Sequence, residues 1–216
     1  ARADLNQYTT NNAVDDFDEL RAALGYGRVN LRGGSYGTRA ALVYMRRHPE
    51  SVRTAMLMGV APISFRNPLP HAREAQNALD RIFEEIRASE RHRAAFPDIE
   101  EKFAETLARL DDQPAEVEVR HPATGEPATI RLDRDGFAEG VRLQLYTLPG
   151  NRELPSLLMR AQAGDYTRFA EASMAMSRGV RGVIAWGTLM CVTKSEDICR
   201  IDPDEIEAAC AACGRE

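Results

Sequence analysis

A chain of 216 residues is long enough for one large domain or two small ones, and 44% hydrophobic with 28% charged residues is ordinary for a globular protein. A net charge of −5 without a concentrated basic patch argues against nucleic acid as a partner, and no apolar run is long enough to span a bilayer, so no membrane partner is expected either. The first residues carry no basic-then-apolar signal pattern, and Lys102 and Lys194 are the only lysines.

In chain order, Val14, Phe17, Leu20 and Leu24 recur at helical spacing over 11–24, with Asn11 or Asn12 as N-cap and Gly25 as the stop. Val29 and Leu31 mark a strand at 28–32, a glycine-rich corner follows, and an Ala- and Leu-rich run predicts a helix at 36–47, ended near Pro49. Residues 53–58 predict a second strand. Two strands joined through a helix should run parallel with a right-handed crossover. Pro62, Pro68 and Pro70 then mark a connection.

Residues 71–112 read as two charged amphipathic helices split near Phe96-Pro97. Over 116–132, Val117 and Val119, then Ile130 and Leu132, alternate with polar residues about a Thr124-Gly125-Glu126-Pro127 turn, which predicts a β-hairpin. Helices are expected at 134–146, 153–163 and 165–178, a stretch loosened by Gly179 and Gly182 before Trp186, and a last helix from Asp202-Pro203. The layout is a small α/β piece followed by a mostly helical one.

Cys191, Cys199, Cys210 and Cys213 all lie near the end of the chain. Cys210 and Cys213 form a C-x-x-C, but they sit in an Ala-rich helical tail with no second Cys or His pair after them. No metal and no cofactor is therefore expected.

The corner "RVNLRGGSYGTRAALVYMRRHPE" carries the chemistry. A serine hydroxyl is a poor nucleophile until a base takes its proton. A sharp strand-to-helix turn exposes the hydroxyl and brings helix N-terminal N–H groups to a developing oxyanion. Ser35 has that place, with Gly33 and Gly37 two residues to either side to relieve crowding and Gly34 beside it. The N–H of Tyr36 is the expected oxyanion donor. The simpler alternative is a glycine-rich turn that only caps the helix.

The stretch "YTTNNAVDDFDELRAALGYGRVNLRGGSYGTRAALVYMRRHPESVRTAMLMGVAP" resembles the nucleophile region of α/β-hydrolases, and more narrowly that of the proline iminopeptidase and tripeptidyl aminopeptidase group of serine peptidases. "FPDIEEKFAETLARL", "LPSLLMRAQAGDY" and "VTKSEDICRIDPDEI" resemble the cap domain of the tripeptidyl branch, although Lys194-Ser195 stands where a Cys-Ala pair is expected. The resemblance implies an α/β fold: a partial hydrolase core at 1–65 with a nucleophile elbow, a mostly helical cap with a β-hairpin at 66–200, and the start of a return to the core at 201–216. It implies Ser35 as nucleophile, Tyr36 in the oxyanion hole, and a peptide as substrate.

In this fold the triad runs Ser, acid, His along the chain. His48 lies 13 residues past Ser35, roughly 20 Å along the departing helix, and suits that helix's C-terminal dipole. His71, His92 and His121 fit no better as a base. The expectation is that the catalytic Asp and His lie outside this chain, which holds the middle of the fold. Two parallel strands present unpaired edges, so self-association through them, helix packing or further chain is expected to stabilise the first 65 residues.

An aminopeptidase must hold a free α-ammonium, and Glu196 or Asp197 is placed to do so. The plainer alternative has them cap the next helix or pair with Arg200. The function expected is a serine hydrolase releasing short N-terminal pieces from peptides. The alternatives are an esterase of the same fold, or a catalytically incompetent fragment or binding module.

Overall fold

A computed structural model describes residues 3–212, which pack as two units: 3–71 with 185–212, and 72–184. The limits fall at 71/72 and 184/185, against 65/66 and 200/201 from the sequence. Residues 185–200 group with residues 3–71.

In the first unit, α1 (Thr10–Ala23) precedes β1 (Val29–Gly34), α2 (Tyr36–Arg47) and β2 (Val52–Met58). Thr9 rather than an asparagine caps α1, its hydroxyl accepting from Asn12 N. β1 and β2 pair in parallel, with a register shift between Val29 and Asn30 and then Leu31 opposite Ala55 and Gly34 opposite Met58. The apolar core is Val14, Val43 and Tyr44, backed by Val29, Leu31, Ala40, Val52 and Ile63. Of the α1 stripe read from the sequence, only Val14 is buried; Phe17, Leu20 and Leu24 are exposed, as are Met56 and Met58 on β2.

The same unit ends in α9 (Trp186–Val192), one π-helical turn at Thr193–Asp197, a 3₁₀ turn at Ile198–Arg200 and α10 (Pro203–Ala212). Cys191, Cys199 and Cys210 are free thiols, and Cys213, the far end of the C-x-x-C, lies outside the described residues.

The second unit holds α3 (from the unit boundary at His71 to Ala88), α4 (Glu90–Ala95), α5 (Ile99–Asp112), the hairpin of β3 (Ala115–Arg120) and β4 (Pro127–Leu132), α6 (Arg134–Gln144), α7 (Leu148–Gln162) and α8 (Thr167–Val183). The expected pair of helices at 71–112 is three, because Ser89 caps a new start by accepting from His92 N. α7 begins five residues early. Thr147 caps it, Pro149 is tolerated in its first turn, and Pro155 is carried inside it. α8 runs through Gly179 and Gly182, whose weak propensity costs about 1 kcal/mol each without ending the helix.

The core of this unit centres on Phe137, fully buried, with Phe169, Phe103 and Tyr166 ring centroids at 4.4, 6.2 and 6.4 Å. Alternation in the hairpin puts Val117, Val119 and Leu132 into the same core.

Candidate active site

Ser35 sits between the last residue of β1 and the first of α2, at φ 51°, ψ −122°. A non-glycine residue held there costs about 1–3 kcal/mol and persists only where its surroundings over-determine it. The surroundings do so with three hydrogen bonds. Ser35 N donates to Met58 O at the end of β2 (3.1 Å), and Ser35 O accepts from Thr38 N (2.9 Å) and Thr38 Oγ1 (2.7 Å). Thr38 is wholly buried, and its hydroxyl also accepts from Ala61 N at 2.8 Å, which ties the loop after β2 to the corner. Sequence reasoning missed this residue; a threonine three past the serine was the only signal.

The Ser35 side chain makes no capping hydrogen bond to α2 and the residue is exposed. A turn that only capped the helix would spend its hydroxyl on the helix N–H groups. The glycines differ in their reasons. A Cβ on Gly33 would come within 2.4 Å of Gly37 O, so glycine is required there by backbone approach. A Cβ on Gly34 or Gly37 meets nothing within 4 Å. The expectation that Gly37 relieves crowding by lacking a side chain is therefore corrected: the crowding falls on Gly33.

Tyr36 opens α2, and a first-turn N–H has no acceptor within its own helix. Its ring is partly covered, its hydroxyl lies 2.8 Å from Thr10 Oγ1, and burial pushes the phenol pKa up.

The π turn sets the two acids. Thr10 donates its N–H to Glu196 Oε1 and its hydroxyl to Glu196 Oε2 (2.7 Å), so Glu196 caps the start of α1. Asp197 is 2% exposed and takes Arg39 Nη1 on both oxygens at 2.9 and 3.1 Å, with Arg200 Nη2 at 3.3 Å. Arg39 is itself buried, and its Nη2 and Arg200 Nη2 both donate to Phe65 O at 2.8 and 2.9 Å. Of the two acids read as substrate ligands, Asp197 is thus turned inward onto a guanidinium, because a buried carboxylate requires a paired charge. Glu196 keeps a side chain 22% exposed.

His48 caps the C-terminus of α2, with Nε2 2.8 Å from Asp15 Oδ1 and Nδ1 3.5 Å from Asp18 Oδ2. His71 opens α3 with its ring 6.0 Å from Phe65. His92 is exposed on α4, and His121 Nδ1 accepts the N–H groups of Ala123 and Thr124 in the hairpin turn.

A family profile for the alpha/beta hydrolase fold matches residues 1–166. Proline iminopeptidases from Xylella fastidiosa and Neisseria gonorrhoeae are 41% identical over 58 residues and 38% identical over 52, which is 27% and 24% of this chain. A 2-(acetamidomethylene)succinate hydrolase from Mesorhizobium japonicum is 26% identical over 159 residues, 72% of this chain. The matched stretches span 18% and 17% of the iminopeptidases and 54% of the succinate hydrolase. With the strained serine corner in place and the profile covering most of its length, the chain belongs to the alpha/beta hydrolase fold family.

Proposed function

We propose that Ser35 is the nucleophile of a serine hydrolase, and that the enzyme is an aminopeptidase releasing short N-terminal pieces from peptides. The observation that carries this reading is the backbone of Ser35: an exposed hydroxyl on a left-handed residue, held by three hydrogen bonds and spent on no helix cap. Ser35 Oγ attacks the scissile carbonyl, its proton passes to a general base, and the Tyr36 N–H steadies the oxyanion. No role as that base is assigned to His48, which pairs with Asp15, or to His121, which accepts N–H groups in the hairpin turn. Local similarity to proline iminopeptidases supports the peptidase reading.

Glu196 is the carboxylate assigned to the substrate's α-ammonium. It has the greater exposure of the acidic pair, and a carboxylate has about four acceptor sites, of which Thr10 takes two. Asp197 and Arg39 act behind it as positioning residues.

The test is fluorophosphonate labelling of the protein expressed from its full open reading frame, with the adduct mapped by mass spectrometry. Labelling at Ser35 that Ser35→Ala abolishes is expected. A folded protein that labels elsewhere or not at all overturns the reading and leaves a binding module. Glu196→Gln is expected to lower kcat/KM for free-amine peptides by about tenfold or more while leaving N-acetylated esters unchanged. Equal losses on both would remove Glu196 from ammonium recognition, and a better rate on the ester would favour an esterase.

A further inference from the structure

Within residues 72–184, a cavity of about 480 Å³ opens between β4, α6 and α8. Its size lies inside the ~300–1,000 Å³ range of small-molecule sites. Its apolar lining includes Ile130 and Met174, with Leu143 and Phe169 packed beneath, and the lining also includes the exposed Arg131, Arg178 and Arg181. None of these three arginines has an ion pair or side-chain hydrogen bond among the described residues. One carboxylate, Glu139, also lines the cavity, and its charge is paired with Arg142; elsewhere in the same unit Arg160 is paired with Asp165 and Arg168 with Glu153.

Two polar groups add to the charge. His121 Nδ1 accepts backbone N–H groups, so its proton sits on Nε2 and is available as a donor. Ser173 lines the cavity, and its hydroxyl lies buried against Gly140 with no hydrogen-bond partner among the described residues. Buried hydroxyls in folded proteins are nearly always bonded. Turning Ser173 about χ1 toward a ligand breaks no hydrogen bond.

Helix polarity alone accounts for part of this pattern, since basic residues suit a helix C-terminus and Arg181 lies in the last turn of α8. It does not account for Arg131, which comes from β4, nor for the orphaned Ser173 hydroxyl.

The geometry points to a binding site for a small carboxylate with an apolar body, the carboxylate among Arg131, Arg178 and Arg181 and the apolar body over Ile130 and Met174. This site is independent of the role given to Ser35. Two sources share that chemistry: a medium-chain fatty acid and an apolar peptide C-terminus.

The experiment titrates the full-length protein, labelled with 13C-methyl methionine, with octanoate and with acetyl-dileucine, reading the Met174 methyl resonance assigned through Met174→Leu. A saturable shift is expected with at least one of the two, and the tighter ligand identifies the source. Octanamide and the acetyl-dileucine amide are expected to bind at least about tenfold more weakly, and the Arg178→Gln/Arg181→Gln double variant is expected to weaken carboxylate binding about tenfold or more. These arginines have no ion-pair or side-chain hydrogen-bond partner among the described residues, so their loss is expected to leave the fold intact, and Arg131→Gln provides a second, separate check. No saturable shift up to millimolar ligand, amides that match the acids, or unchanged affinity in the double variant would overturn the assignment.

Discussion

The two units are stabilised in different ways. Residues 72–184 bury a continuous apolar core, with Phe137, Leu154, Leu157 and Phe169 almost wholly covered. The unit that carries Ser35 buries few apolar side chains and instead hides Thr10, Thr38, Arg39, Ser51 and Asp197. A hydrophobic core is tolerant of direction; a hydrogen-bond network is not. The contrast is a division of labour: the helical unit is held by area, and the serine corner is held by directed bonds that fix one strained backbone geometry.

The largest expected effect falls on the apolar side. Phe137→Ala removes a fully buried ring and should destabilise residues 72–184 by about 3–5 kcal/mol. Denaturant melts give the size, and peptide-level hydrogen exchange shows where protection is lost. Loss of protection spread equally over 3–71 would mean that the units do not unfold separately, and the comparison would fail.

On the polar side, Asp197→Ala leaves the buried Arg39 guanidinium with Glu196 at 3.9 Å as its one remaining carboxylate among the described residues, which should cost about 3 kcal/mol. The loss should appear in the exchange of α2 and of residues 193–200. Replacing both partners together, Arg39→Met with Asp197→Leu, should recover much of it, because the isolated charge and not the missing contact carries the penalty. A double variant as unstable as the single one would assign the loss to something other than the buried charge.

Acid should separate the units further. The guanidinium of Arg21, then the Tyr44 hydroxyl, hold Asp18 well below the usual carboxylate range; Arg47, then His48, hold Asp15 down; and Arg66 does the same for Glu205. Carboxylates whose folded pKa is depressed contribute stability that is fully present above their unfolded pKa of about 4 and is lost as pH falls toward the folded value. Melts between pH 7 and pH 3 should therefore show exchange protection in α1 and α2 falling first. Asp18→Asn should lower stability at pH 7 and flatten that dependence. A steep acid transition retained in Asp18→Asn would remove this carboxylate from the explanation.

Much of this was legible in the sequence because it rests on local patterns. The strand-corner-helix-strand order, the hairpin and Ser35 follow from periodicity and turn chemistry over fewer than about ten residues each. The Arg39–Asp197 pair was not legible, because its members are 158 residues apart and nothing in "KSEDICRID" says which acid turns inward. The π turn settles that choice by burying Asp197 and leaving Glu196 at the start of α1. The burial of the α1 stripe was not legible for a related reason. Helical spacing shows that Phe17, Leu20 and Leu24 share a face with Val14, but not whether anything in the described residues covers that face.

The smallest effect is the sharpest test of the corner. Gly33 and Gly37 hold equivalent places about Ser35 in the sequence, yet a Cβ meets backbone at 2.4 Å on the first and nothing within 4 Å on the second. Gly37 lies inside α2 without a positive φ, so Gly37→Ala should stabilise the protein by roughly 0.4–1 kcal/mol, through helix propensity and a less free unfolded chain. Gly33→Ala must instead push β1 away from the first turn of α2, and should lower both stability and Ser35 labelling by fluorophosphonate. The pair is read by denaturant midpoint and adduct yield on the same preparations. If both variants destabilise alike, the close approach of Gly33 to Gly37 is not what holds the serine in its left-handed geometry.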